Sequence, residues 1–414
     1  MLGIRLAALF GHTKARLMVR GWCESGQWPV VSGQPVAWFH AASLGEFEQA
    51  RPVLERYKEQ HPDSRIVVTF FSPSGYEVRK NYDQADAVMY LPPDLPGSVR
   101  RFIDKWQPTV AFFVKYEFWF NYLGELQRRG IPTYLFSAIF RPGQYFFKPW
   151  GAWCLHQLRR CYTHIFVQNE ESLSLLQSHG VERCSLAGDT RFDRVHQIAL
   201  AGERNEVVER WLEGHDGKVL VAGSTWPPDE ELIKECADAL MSKRDGQTNT
   251  LKIILAPHVI GEDHLKQIEH LFTDSVRYSS IASHSSHSSY TSNASNARIL
   301  IIDNIGILSK LYRYADVAYI GGGFGVGIHN ILEAVTFGKP VLFGPNYHKF
   351  QEAHDIIARG GGFSHRDADS LRRNIEPLLT DPEALKKASQ ACTEYMQENL
   401  GSTEKIINKV NGDK

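Results

Sequence analysis

The chain has 414 residues, 43% hydrophobic and 22% charged, with a formal net charge of -1. That composition excludes a disordered chain, leaves room for two domains of ordinary size, and lacks the basic excess that nucleic-acid binding requires. Six cysteines, Cys23, Cys154, Cys161, Cys184, Cys236 and Cys392, form no C-x-x-C pair, which argues against a zinc site or a disulfide framework and for scattered reduced thiols.

At the N-terminus, Met1–Trp22 mixes apolar residues with Arg5, Lys14, Arg16 and Arg20 and holds no acidic residue. No run reaches the length of about 18 apolar residues that spans a bilayer. Two readings stay open: a basic amphipathic helix lying in a membrane interface, or an ordinary first helix packed on its own domain. Strands are then expected at Val36–Phe39, Arg65–Phe71, Val88–Leu91, Thr109–Val114, Thr133–Phe136 and Ile165–Val167. Helices at Glu46–Gln60, Ser74–Asn81, Val99–Trp106 and Asn121–Arg129 separate them. After a polar helical stretch from His196 to His215 the alternation restarts with strands Lys218–Ala222 and Lys252–Ala256 around a helix Glu230–Met241. Strands Arg298–Ile302, Val317–Ile320 and Pro340–Phe343 follow. Strands alternating with helices predict parallel sheets covered on both faces, here in two domains divided near residues 203/204. The tract from Ser279 to Ala297 is rich in Ser, His and Asn and reads as a solvated loop, although His284 and His287 invite a metal reading.

The segment Tyr319–Pro345, YIGGGFGVGIHNILEAVTFGKPVLFGP, orders an apolar strand, a glycine-rich turn, a helix opening at Asn330 and a second apolar strand. Its glycines do not fit G-x-G-x-x-G, and no P-loop motif occurs, so a nicotinamide enzyme or a P-loop kinase is not indicated. A tight strand–helix turn that needs positive φ explains the glycines; so does a phosphate cradle of backbone N–H groups. Asn330, Glu333 and Gly344–Pro345–Asn346 favour the cradle, because a ribose and a phosphate need such groups close together. Ser224 and Thr225 add hydroxyls at another strand end.

In the first half, HAASLGEF places Glu46 just past a strand. Ser43-Leu44-Gly45-Glu46 matches the capping box S-x-x-E, and Glu46 also stands where a cleft-side carboxylate can act as a base. Glu117, in VKYEFWFN, sits among Tyr116, Phe118, Trp119 and Phe120 and needs pairing or solvation there. Arg141–Trp150 mixes cations with aromatics, a composition suited to a lipid interface or an anionic headgroup.

At these residues the chain resembles the 3-deoxy-D-manno-octulosonic acid (Kdo) transferase family of lipopolysaccharide biosynthesis. HAASLGE resembles that family's H-S-x-S-x-G-E, YLPPDLP (Tyr90–Pro96) its Y-L-P-x-D-x-P, and Glu117-Phe-Trp119-Phe-Asn121 its E-x-W-P-N. Gly188–Asp193 resembles G-S-x-K-F-D, with Arg191 at the lysine. Gly223–Ser224–Thr225 matches an S-T turn, Asp303–Gly306 and Leu311–Tyr312 a D-T-x-G-E-L…L-Y run, and His329-Asn330…Glu333 an H-N-P-x-E. Three departures stand out: Pro257–His258–Val259 replaces P-R-H, Ile307 a glutamate, and Ile331 a proline.

The resemblance implies a GT-B fold of two Rossmann-like parallel-sheet domains facing across a cleft. Residues 1–203 would bind the acceptor and 204–414 the nucleotide-sugar donor. It implies inverting, metal-independent transfer of Kdo from CMP-Kdo to a lipid A precursor, with no cofactor, at the cytoplasmic face of the bacterial inner membrane. Glu46 would be the base, with Glu117 and Arg191 beside it. Ser224, Thr225, Pro257, His258, Ile305, Gly306, Ile307, Asn330, Ile331, Leu332 and Glu333 would hold the donor. Two other readings stay open: a nucleotide-sugar epimerase of the same fold, and a non-catalytic scaffold on a membrane surface.

Overall fold

The computed structural model describes residues 12–24, 33–242, 251–283 and 297–413, together with Gly3, Ile4 and Ala7. The chain forms two compact units, Met1–Arg194 with Asn399–Lys414, and Val195–Glu398.

The first unit is built on seven strands, β1 (Val36–Ala41), β2 (Arg65–Phe70), β3 (Ala87–Tyr90), β4 (Val110–Val114), β5 (Thr133–Ala138), β6 (His164–Val167) and β7 (Cys184–Leu186). They pair in the order β3-β2-β1-β4-β5-β6-β7, and every pairing is parallel. The strands read as near-continuous apolar runs because helices cover both faces. Alternation along β1 sends Trp38 into one core layer and Ala37 and Phe39 into the other, as the two-residue period of a strand requires. The helix Thr13–Glu24 buries Ala15 and Met18. A side chain at its Gly21 would meet the Tyr90 ring at 2.0 Å, so glycine allows close packing against β3. The described part of the basic N-terminal segment is therefore a packed first helix; Arg5 lies outside the described residues.

The second unit repeats the scheme with β8 (Val219–Thr225), β9 (Lys252–Pro257), β10 (Ser275–Arg277), β11 (Ile299–Ile301), β12 (Val317–Ile320), β13 (Val341–Phe343) and β14 (Gly362–Ser364). The order is β10-β11-β9-β8-β12-β13-β14, again parallel. In both sheets the chain switches from one side of its first strand to the other, between β1 and β4 and between β8 and β12; in the second sheet β11 also returns to lie between β9 and β10. Ligands of open parallel sheets bind beyond the carboxyl ends of strands at such switch points. His40 and Glu117 lie at the first switch point, and Ser224 and the glycine-rich turn at the second.

Three expectations need correction. The units divide at 194/195, within a helix Thr190–Leu200, and the last segment does not stay with the second unit. The helix Ser402–Gly412 packs Ile406, Ile407 and Val410 into a core layer of the first unit. Asp193 caps it, accepting from the N–H groups of Gly401 at 2.8 Å and Thr403 at 2.6 Å. Gly188, with φ of +102°, leaves room for Ser402, which an added Cβ would meet at 2.5 Å. Second, the polar stretch 196–215 is two helices, Thr190–Leu200 and Glu206–Trp211: the first ends before Gly202, at φ of +66°, and Asn205 caps the start of the second by accepting from Val207 N–H and Val208 N–H. Third, the helix expected to open at Asn330 is a single turn, Leu332–Val335. His284 and His287 lie outside the described residues.

Candidate active site

At the first switch point a chain of side chains runs from the core to the strand ends. Trp38 Nε1 donates to Thr69 Oγ1 at 2.9 Å. His40 Nδ1 lies 2.9 Å from the same hydroxyl and 3.1 Å from the Thr69 carbonyl, and His40 Nε2 lies 3.0 Å from Glu117 Oε2. Trp119 Nε1 donates to that same carboxylate oxygen, and Tyr162 donates its hydroxyl to the Glu117 carbonyl at 2.7 Å. His40 is fully buried, while the Glu117 side chain keeps 12% exposure.

The loop that carries Glu117 is clamped at both ends. Lys115 before it has φ of 67°, a conformation that costs a non-glycine residue free energy and persists only where surroundings impose it. Asn121 after it donates its side-chain amide to the Asp94 carbonyl at 2.9 Å. The Asp94 carboxylate accepts from Tyr122 N–H at 3.2 Å and Asn121 N–H at 3.4 Å. Burial raises Asp94 above the usual carboxylate range against those hydrogen bonds. The YLPPDLP segment and the Glu117 segment thus dock on one another.

Glu46 lies in the first turn of the helix Leu44–Gln60 and is partly exposed. The capping box does not form: Ser43 makes no side-chain bond to the helix backbone, and its hydroxyl donates instead to Glu46 Oε2. Arg191 is half of an ion pair, its Nε 2.7 Å from Asp189 Oδ2. Asp189 is buried, which pushes its carboxyl up. Arg191 and the Gln49 amide reverse that and hold it below the ordinary range.

At the second switch point the backbone does most of the shaping. Ser224 has φ of 54° and marks a break in the β8–β9 register. Its hydroxyl has no hydrogen-bond partner among the described residues, whereas Thr225 is fully buried and donates to Glu230 Oε1 at 2.9 Å. Glu230 also takes a 2.9 Å contact from His264 Nε2, yet burial still raises its carboxyl. The buried Asp229 carboxylate collects Trp226 N–H at 2.9 Å, Gly322 N–H at 3.0 Å and the Tyr319 hydroxyl at 2.9 Å. It ties the end of β8 to the glycine-rich turn, and burial raises it too.

Two kinds of glycine occur in that turn. At Gly321 and Gly323 an added Cβ would meet Ser224 O at 2.2 Å and Gly344 at 2.6 Å, so these permit close strand ends. Gly322 and Gly327 have φ of +89° and +135°. Among the described residues the N–H groups of Gly323, Phe324, Asn330 and Ile331 have no acceptor, while Gly325 and Gly327 donate to Gly322 O. Beside the turn the rings of Trp226, His258 and His329 stack in series, with centroids 4.7 and 4.5 Å apart. Burial, then His258, lowers His329 below the ordinary imidazole value.

The predicted donor residues therefore fall into separate groups. Ser224, His258, Asn330 and Glu333 border the turn, and Asn330 donates to Glu333 Oε1 at 3.3 Å. Ile331 and Leu332 are fully buried and offer only backbone. Pro257 closes β9 and is buried, and the Thr225 hydroxyl points into the protein. Ile305 is 79% exposed on the loop with Gly306 and the half-buried Ile307. The sequence reading missed Thr69, inside β2, Trp226, one residue past β8, and Asp229, in the first turn of the helix Pro227–Ser242; no local pattern marks them.

Against known proteins, the family model described as 3-Deoxy-D-manno-octulosonic-acid transferase (kdotransferase) matches residues 13–194. A 3-deoxy-D-manno-octulosonic acid transferase of Haemophilus influenzae is 26% identical over 89% of this chain and 84% of its own. One of Aquifex aeolicus is 26% identical over 84% of this chain and 87% of its own. Among solved structures, a UDP-GlcNAc 2-epimerase of Neisseria meningitidis superposes with a TM-score of 0.61 at 16% identity, covering 92% of this chain and 100% of that one. The last likeness shows the fold, two Rossmann-like sheets of the GT-B class. The sequence matches run through both units, and over most of its length the chain resembles 3-deoxy-D-manno-octulosonic acid transferases, which are glycosyltransferases.

Proposed function

We propose that this chain moves Kdo from CMP-Kdo to a lipid A precursor of the lipid IVA type, with inversion at the anomeric carbon. The observation that carries the reading is the placement of Glu46, the family-motif carboxylate. It lies just past β1 at a sheet switch point, partly exposed and steadied by Ser43. In the step itself an acceptor hydroxyl oxygen bonds to the anomeric carbon of Kdo from the face opposite the phosphate. The bond from that carbon to the phosphate oxygen breaks, CMP leaves with the electron pair, and Glu46 takes the hydroxyl proton. A positioned base of this kind is worth about 10²–10⁴-fold.

The donor would lie on the second unit. The unpaired N–H groups at Gly323, Phe324, Asn330 and Ile331 supply an anion cradle, Glu333 and Asn330 a ribose contact, and the Trp226–His258–His329 stack a flat face for the base. The helix after the turn is too short to add much dipole, so the cradle depends on the loop N–H groups and Ser224. On the first unit Glu117 would hold the acceptor or the developing charge. Arg191 would act from within its pair with Asp189. No helix among the described residues is long and apolar enough to cross a membrane. Attachment to the inner-membrane surface would fall to exposed aromatics, with Trp150 at 77%, Trp153 at 58% and Tyr145 at 47% exposure. Such residues suit the interfacial layer.

The test is incubation of the purified chain with CMP-Kdo and a lipid A disaccharide precursor, followed by mass spectrometry of the lipid. A gain of Kdo on the lipid with release of CMP is expected. Conversion of a sugar nucleotide without lipid gain, or no reaction, overturns the proposal.

A further inference from the structure

The Glu117 carboxylate is held unevenly, and the group that holds it is a histidine the reaction scheme does not use. Both described donors, His40 Nε2 at 3.0 Å and Trp119 Nε1, converge on Oε2. Oε1 receives no hydrogen bond among the described residues. A carboxylate oxygen only accepts, so Nε2 must carry a hydrogen. The other ring nitrogen is committed to Thr69, whose hydroxyl and carbonyl lie 2.9 and 3.1 Å away. The ring has no freedom to turn. It is fully buried, and the edges of Phe113 and Trp119 pack against it with centroids 5.8 Å away. Thr69 is itself fixed by Trp38. Three neighbouring strands, β2, β1 and β4, thus define one direction for Glu117.

From this geometry we propose that His40 is a positioning residue for the transfer reaction: it holds Oε2 so that Oε1 is presented, fixed in direction, to the substrate. The inference rests on the reading that Glu117 takes part in transfer. His40 does not touch substrate; it acts through Glu117. A buried donor is better suited to this than solvent, because a carboxylate free to rotate would spread its two oxygens over several directions, and misplacement by about 1 Å can cost on the order of 10²-fold in rate.

The test uses the full chain with CMP-Kdo and a lipid A disaccharide precursor, and three single variants. His40→Gln places an amide N–H near the position of Nε2 and keeps a donor to Glu117. His40→Asn reaches only toward Thr69 and loses that donor. Glu117→Gln removes the charge being positioned. His40→Asn is expected to lower kcat by about 10²-fold with KM changed little, and His40→Gln to recover most of the loss. Thermal unfolding midpoints of the two His40 variants should agree. In the Glu117→Gln background, His40→Asn should add almost nothing, since both changes act on one interaction. Equal losses in His40→Gln and His40→Asn that track a shared fall in unfolding temperature make His40 a packing residue and overturn the proposal. So does a His40→Asn loss that multiplies fully with Glu117→Gln. Full activity of Glu117→Gln removes Glu117 from the reaction and takes this inference with it. A slow Glu117→Gln beside a normal His40→Asn overturns the positioning role alone.

Discussion

The two switch points solve different problems with different materials. The first is made of side chains: Glu117 is fixed by a buried imidazole and an indole, Glu46 by a hydroxyl, and aromatic rings fill the space behind them. The second is made of backbone: glycines, a strained Ser224 and N–H groups left without acceptors, gathered by the carboxylate of Asp229. A proton acceptor must be one atom in one place, which a locked side chain supplies. An anion with several oxygens is better met by several N–H groups, which only a turn free of Cβ atoms can aim at one point. In the proposed reaction the first unit would take the proton and the second would hold the phosphate.

The largest effect that would sharpen this contrast is kinetic. Glu46→Gln should lower kcat by about 10²–10⁴-fold while CMP affinity by calorimetry stays within twofold of wild type; equal losses in both would break the division. Next in size is the pH response of the second unit. Burial holds His365 down to about 4 from 6.5, and its Nε2 lies 3.2 Å from the Tyr319 hydroxyl. A depressed histidine contributes its stability in full above the ordinary value and loses it as pH falls through the folded-state value. Wild type should therefore lose roughly 3 kcal/mol more than His365→Gln between those limits. Parallel denaturation curves across that range would remove His365 as the cause. Smaller again is Gly322→Ala, which forces a Cβ to within 2.6 Å of Gly327 O at φ of +89°. Strain of about 1–3 kcal/mol should weaken CMP binding by about tenfold and leave unit 1 untouched; unchanged affinity would make the turn a packing device only. The smallest is Trp226→Ala, with about a fivefold loss of CMP affinity if the ring stacks on the base, and none if the stack with His258 and His329 is only structural.

Sequence pattern was a good guide where an element was long and apolar. The strands Val317–Ile320 and Lys252–Pro257 stand where the alternation put them, within a residue. The strands β7, β10 and β14 are short, only partly buried and mixed in polarity, so they do not stand out from loops, whereas the equally short but fully buried apolar β11 and β13 did. Glu46 and Glu117 were picked out as candidates because each carboxylate stands just past a strand end, and the structure places both there. The role of Thr69 was not legible, since nothing local marks one threonine in an apolar strand as the partner of a histidine 29 residues away. For Thr225 and Leu332, placed in the donor site by motif proximity, burial turns the Thr225 hydroxyl and the Leu332 side chain into the protein and leaves their backbone to face a ligand. The family-like segment Gly188–Asp193 proved partly architectural, because Asp193 and Gly188 seat the last helix.

That helix has a consequence for biosynthesis. Residues 195–398 are continuous and hold everything their own sheet needs, whereas the amino-terminal sheet lacks Ile406, Ile407 and Val410 until the ribosome has made all of the other unit. The half translated first is the half finished last. Vectorial folding, which usually favours the amino-terminal domain, is here inverted in its final step. A nascent chain stalled before residue 399 should expose an apolar groove along the helix Leu44–Gln60, a ready client surface for a chaperone.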